Sequence, residues 1–138
     1  MIPAKRDGIT QTIKLGLKDA AVRPDAVDFI SAHATATKHG DAIEAQATGS
    51  VYGKTPVVSG LKSYTGHTMG SCGAIESIMT IYMMQEGFIV PTLNLDHVDD
   101  QCAMLQHARE MTDADIRIAA IQNFAFGGVN TCLFLKKP

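Results

Sequence analysis

The stretch GLKSYTGHTMGSCGAIES, residues 60–77, sets Lys62, His67 and Glu76 among glycines and other small residues. Small residues let backbones approach closely, and ionisable groups among them are costly unless they are paired or carry out chemistry. The stretch therefore reads as a buried structural network or as part of an active site. Taken alone, Lys62 and Glu76 read as a structural ion pair. A lysine near a histidine also lowers that histidine's pKa, and a neutral imidazole can donate a hydrogen bond to a substrate carbonyl. His33, in SAHATAT, follows a short apolar run, and His67 follows a second. Loops just past the carboxyl ends of strands are favoured places for chemistry in α/β sheets, so the two histidines could converge. By position alone they read more readily as unrelated polar loop residues.

Other candidates have plainer readings. Asp41 and Glu44 open a helical segment, where acids complement the helix dipole. Cys72 lies among small residues at a helix start and reads as a small buried filler. FAFGG ends an apolar strand; its glycines permit a tight turn and an exposed backbone N–H that could stabilise an oxyanion, or an ordinary hairpin. The five histidines form no HExxH and no zinc-finger spacing, and neither GxGxxG nor GxxxxGK[ST] occurs, so neither a metal site nor a nucleotide loop is expected.

The elements that would position these groups follow from periodicity. DGITQTIKLGLKDAAV spaces Ile9, Ile13, Leu17 and Ala21 as a helix does, and VDFISAH suits a buried strand. GDAIEAQATGSVYG reads as a helix, TPVVSGL as a strand, and GAIESIMTIYMMQEG as a helix apolar on most faces and therefore largely buried. Residues 88–115 read as an irregular surface excursion. IRIAAIQNFAF and TCLFLKK are apolar strands joined by GGVN, which has hairpin-turn composition. The order predicts an α/β fold with a mixed sheet and a buried helix beside it.

The 138 residues fit one domain, 1–138, and 46% hydrophobic with 19% charged residues is a globular profile. A net charge of −2 without a basic stripe argues against nucleic acid. No apolar run is long enough for a membrane span, and the first ten residues lack the apolar core of a signal peptide. Three cysteines, an odd number without CxxC, point to a reducing, cytoplasmic setting.

SAHATATKHGDAIEAQA, SGLKSYTGHTMGSCGAIES and NFAFGGVN together resemble the three C-terminal motifs of β-ketoacyl-ACP synthases of the KAS I/II type, and MMQEGFIVPTLNLD is similar to the segment after that group's buried helix. The resemblance implies a thiolase-like fold of two similar halves, with this chain as the C-terminal half, incomplete without the N-terminal one. It implies decarboxylative condensation of malonyl-ACP with an acyl thioester held on a cysteine of the N-terminal half. His33 and His67 match the catalytic histidines, both donating to the malonyl thioester carbonyl, and Lys62 the active-site lysine. Glu76, Asp41 and Glu44 match acids that orient this network. Thr35 and Thr37 match the threonines that hold the phosphopantetheine arm. Phe126 matches a gating residue whose backbone N–H joins the oxyanion hole, and Phe124 its neighbour. No metal or redox cofactor is implied. The implied partners are acyl carrier protein, the N-terminal half and a second copy in a dimer.

QNFAFGGVN does not look like the asparagine motif of the KAS III type, and Cys132 lacks the following x-Gly of the thiolases. None of Cys72, Cys102 and Cys132 sits in a nucleophile motif. The chain is thus expected to be a fragment, a split gene product or one subunit, inactive alone. A non-catalytic partner of the chain-length-factor kind is the alternative. Ala34 and Ala36 stand where the family has glycine and serine, and Ala125 where it has glycine; alanine at a positive-φ glycine position costs roughly 1 kcal/mol.

Overall fold

The computed structural model describes residues 5–138. Helix α1 spans Arg6–Asp19 and buries Ile9, Ile13 and Leu17 of the predicted stripe, whereas Ala21 lies past the helix end, exposed and with φ of 52°. After it come strand β1 (Phe29–Ser31), helix α2 (Lys38–Tyr52) and strand β2 (Val57–Ser59). One helical turn, α3 (Lys62–Thr65), precedes the long helix α4 (Cys72–Glu86). Three two-residue strands follow, β3 (Phe88–Ile89), β4 (Gln106–His107) and β5 (Thr112–Asp113), and then the long strands β6 (Ile118–Phe124) and β7 (Asn130–Lys136).

The main sheet is mixed, in the order β4-β2-β1-β6-β7. β1 runs parallel to both β2 and β6, β2 runs parallel to β4, and β6 and β7 form an antiparallel hairpin. Adjacent residues of a strand face opposite ways, so a strand apolar at every position must be covered on both sides. Ile30 points into a core shared with Ile9, Ile13 and Leu17, whereas Phe29 points into a second core with Leu61, Met83 and Ile116. Helices α1 and α2 thus cover one face and α4 the other. The hairpin closes with the Ala125 N–H donating to the Val129 carbonyl at 2.9 Å, across a 3-10 turn in which Gly127 and Gly128 take φ of 81° and 83°.

Three expectations need correction. Residues 88–115 are not wholly irregular: β4 extends the sheet beyond β2, and β3 pairs with β5. Two-residue strands carry no alternation for a pattern to register. The turn α3 was also not anticipated, for the same reason of length. Helix α4 is not largely buried in this chain. Cys72, Glu76, Thr80, Met83 and Met84 are buried, but Ile78 is 69% exposed and Tyr82 57%. Only one face of α4 meets the sheet, and its outer apolar stripe has no cover among the described residues. No helix among those residues is long and apolar enough to cross a membrane.

Candidate active site

Because β1, β2 and β6 are parallel, their carboxyl ends lie along one edge, with Ser31 level with both Ser59 and Ile121. His33 follows β1, Lys62 follows β2, and Asn123 and Phe124 close β6. Gly60 brings the first two loops together, since a Cβ there would lie 3.0 Å from that of Ala34. His67 arrives from the α3–α4 connection. Its ring meets that of His33 edge to face, with centroids 5.5 Å apart, and Phe124 packs on His33 at 6.1 Å. Both histidines open onto a cleft of about 930 Å³ whose walls include Thr35, Thr37, Cys72, Asn123 and Phe126.

Behind His33 lies a buried polar cluster. Lys62 Nζ and Glu76 Oε1 are 2.5 Å apart, with side chains 4% and 2% exposed. Asn123 joins them: Lys62 donates to its Oδ1 at 3.2 Å, and its Nδ2 donates to Glu76 Oε2 at 2.8 Å. The same Oδ1 lies 3.2 Å from His33 Nδ1. The His33 pKa falls from 6.5 to about 4, through burial first and the Lys62 ammonium second. The imidazole is therefore neutral at pH 7, as a lysine neighbour predicts, although desolvation is the larger cause.

His67 is held differently. The Met69 N–H donates to its Nδ1 at 3.1 Å, and Cys72 Sγ lies 3.4 Å from the same nitrogen. Thr68 Oγ1 donates to that sulfur. Cys72 is buried, as a filler would be, yet it also backs the His67 ring.

Asp41 and Glu44 do not touch the Lys62–Glu76 pair. Glu44 is 6% exposed, and its two oxygens accept the N–H groups of His33 at 2.7 Å and Ala34 at 2.8 Å. It fixes the backbone of the His33 loop rather than a helix start. Burial pushes its pKa from 4.5 up to about 7 against the pull of those two amides. Asp41 does sit in the first turn of α2, facing the amides of Thr35, Ala36 and Thr37; burial raises its carboxyl and the amides oppose the rise. The loop they brace is contorted, with φ of 36° at Ala34 and 58° at Ala36. Ala125, in contrast, has φ −93°, which costs alanine nothing. Thr35 and Thr37 pair their hydroxyls at 3.1 Å on the cleft wall. Phe124 is buried, while Phe126 is 64% exposed at the hairpin turn.

The structure thus brings His33, His67, Thr35, Thr37 and both phenylalanines to one cleft, with Lys62 and Glu76 behind it and Asp41 and Glu44 bracing the loop. Asn123 is the residue that sequence reasoning passed over. Its signal was available: a polar pair, Gln122–Asn123, interrupts an otherwise apolar strand just before its last residue, and a buried polar group needs partners.

The same mixed sheet, with its polar cluster at parallel strand ends and a hairpin at its edge, is shared with solved ketosynthases. A β-ketoacyl synthase from Burkholderia phymatum STM815 superposes with a TM-score of 0.96 at 40% identity, covering 100% of this chain and 34% of that one. The ishigamide ketosynthase/chain length factor gives 0.92 at 38% identity over 97% of this chain and 34% of its own. Among curated proteins, the 3-oxoacyl-[acyl-carrier-protein] synthase 1 of Escherichia coli (strain K12) is 32% identical over 99% of this chain and 33% of its own length. Residues 1–96 match the family model described as Beta-ketoacyl synthase, C-terminal domain, and the chain belongs to that family. It spans about a third of the length of the curated relatives it matches.

Proposed function

We propose that this chain supplies the histidine–lysine part of a decarboxylating condensing site, completed by an N-terminal part that carries the acyl thioester on a cysteine. The observation that carries this reading is the pair of facing imidazoles on an open cleft, one of them kept neutral by burial and by Lys62. Malonyl thioester, delivered on the phosphopantetheine of acyl carrier protein, loses carbon dioxide and leaves an enolate. A neutral imidazole N–H placed at the thioester oxygen stabilises that charge without giving up its proton. His67 suits this role, because the Met69 N–H occupies Nδ1 and leaves the proton on Nε2. The enolate carbon then attacks the acyl thioester carbonyl. The tetrahedral oxyanion, held by the Phe126 backbone N–H, collapses as the cysteine thiolate leaves. The product is a β-ketoacyl thioester two carbons longer.

Thr35 and Thr37 offer paired hydroxyls to the pantetheine arm along the cleft wall. The electrons balance within the substrates, so the reaction calls for no metal or redox cofactor. The exposed Ile78, Ile81 and Tyr82 of α4 are the surface we assign to the N-terminal part, each worth on the order of 1 kcal/mol once covered, because each is already partly shielded. The complete enzyme is proposed to be a cytoplasmic dimer. A related ketosynthase has been solved in complex with a type II PKS acyl-carrier protein, which supports the carrier as partner. The test is malonyl-ACP decarboxylation by the chain with and without the N-terminal part. Turnover that appears on reconstitution and vanishes in His67→Ala is the expected result. A folded, reconstituted complex without turnover would favour a chain-length-factor-like role instead.

A further inference from the structure

A second cavity lies behind the His33 loop. It encloses about 400 Å³, a volume in the range of small-molecule sites. The loop is the partition: His33, Thr35 and Thr37 line the cleft of the two histidines, whereas Ala34 and Ala36 line this cavity. Its apolar floor is Ala32, Ala45, Val58 and Leu105, all members of the core beneath α1 and α2. The cavity is therefore on the face of the sheet opposite α4, away from the stripe assigned to the N-terminal part. Its polar wall carries three carboxylates. Asp41 and Glu44 border both spaces, and Asp99 joins them at the exposed rim. Asp41 Oδ1 is enclosed without a hydrogen-bond partner among the described residues. Glu44 is buried, and each of its oxygens accepts one amide, although a carboxylate oxygen can accept two. We propose that this cavity is a ligand site for a small organic ammonium ion with an apolar tail.

The ammonium head donates to Asp41 and to the free lone pairs of Glu44, and the tail lies on the alanine floor. Burying a carboxylate without a full set of partners is unfavourable. The burial of Glu44 is only partly offset by its two amides, and its pKa stands raised to about 7. A cation is what these groups lack. Lys38, the lysine on the cavity wall, is exposed at the rim, as is His97. His107 is turned to the Cys102 carbonyl, with Nε2 at 2.9 Å. An organic anion would be repelled by the same three carboxylates. Occupancy would be felt across the partition, because the loop is strained at Ala34 and Ala36, with φ of 36° and 58°, and is fixed by Glu44. A ligand that pins Ala34 and Ala36 pins Thr35 and Thr37 with them. Any effect on turnover rests on the condensing-site reading; the binding itself does not.

The experiment is an NMR titration of 15N-labelled protein at neutral pH, without substrate, in the assembly in which it purifies. The probes are hexylammonium, hexanol and hexanoate. Hexylammonium should give saturable shifts at the amides of Ala34, Ala36 and Gly60, and should bind about tenfold more tightly than hexanol, which cannot form charge-assisted bonds. Hexanoate should leave these amides unmoved. Val98→Phe places a ring in the cavity from a partly buried loop position and should abolish the shifts. No saturable binding of hexylammonium, equal binding of hexanol or hexanoate, or shifts confined to the cleft residues Phe126, Val129 and Thr131 would overturn the proposal. So would unchanged binding to Val98→Phe. The three probes on the unaltered protein decide the matter if Val98→Phe does not fold. Because no turnover is read, failure here is distinct from failure to decarboxylate malonyl-ACP.

Discussion

Removal of Glu76 tests whether the cluster behind the histidines is held by pairing. Glu76→Ala strands the Lys62 ammonium in a site where its side chain is 4% exposed, with Asn123 Oδ1 at 3.2 Å as its remaining hydrogen-bond partner among the described residues. Loss of one member of a buried pair costs about 3–5 kcal/mol, because the remaining charge has neither water nor a counter-ion. Lys62→Met is the mirror case: Glu76 keeps one hydrogen bond, from Asn123 Nδ2 at 2.8 Å. The double variant Lys62→Met/Glu76→Leu removes both charges and fills their volume, so it should cost less than either single change. Urea denaturation followed by circular dichroism gives all three free energies. If the single variants each lose under ~1 kcal/mol, or if the double loses the sum of the two, buried pairing is not what holds this cluster.

Two titrations should oppose each other. His33 has its pKa lowered to about 4 in the fold, so the unfolded chain binds more protons and stability rises with pH from about 4 to 6.5. Glu44 has its pKa raised to about 7, so the folded chain binds more protons and stability falls with pH from about 4.5 to 7. The two slopes largely cancel. Urea midpoints across this range should therefore decline with pH in His33→Phe and climb with pH in Glu44→Gln; parallel profiles would contradict the assignment. Ala34→Gly and Ala36→Gly should each stabilise by up to ~1 kcal/mol, since φ of 36° and 58° suits glycine better than alanine, and thermal midpoints that fall would count against strain in the loop. Ile78→Lys should leave the chain's own stability within about 0.5 kcal/mol, because that side chain is 69% exposed. It should nonetheless prevent assembly with the N-terminal part in sedimentation velocity.

Much of the fold was legible because its main elements carry long-wavelength signals. Ile9, Ile13 and Leu17 announce one helix, and the apolar run ending at Phe124 announces the central strand. The short segments β3, β4 and β5 had none, since pairing of two residues depends on neighbours distant in the chain. For the site, spacing alone did not separate His33 and His67 from ordinary loop residues; the combination of three motifs did. Spacing alone left the Glu44 role open, because a carboxylate near a helix start looks the same in sequence whether it serves the helix or reaches back to the loop before it. The outer face of α4 looked like core because an apolar stripe does not say who covers it.

The parallel arrangement that gathers the site also sets when it can form. His33 and Asn123 are neighbours in space but 90 residues apart in sequence, and β6 must insert beside β1 before they meet. Contacts of such long separation form late and slowly, after loop closure has been met. On a ribosome, β1 and β2 emerge with β1 an open edge, and Lys62 and Glu76 emerge without the amide that later joins them. The nascent chain therefore passes through a stage in which a sheet edge and the apolar stripe of α4 are both uncovered. Chaperone dependence should be greatest before β6 pairs with β1, and a chain ending before Ile118 should retain chaperone more strongly than one that includes β6 and β7.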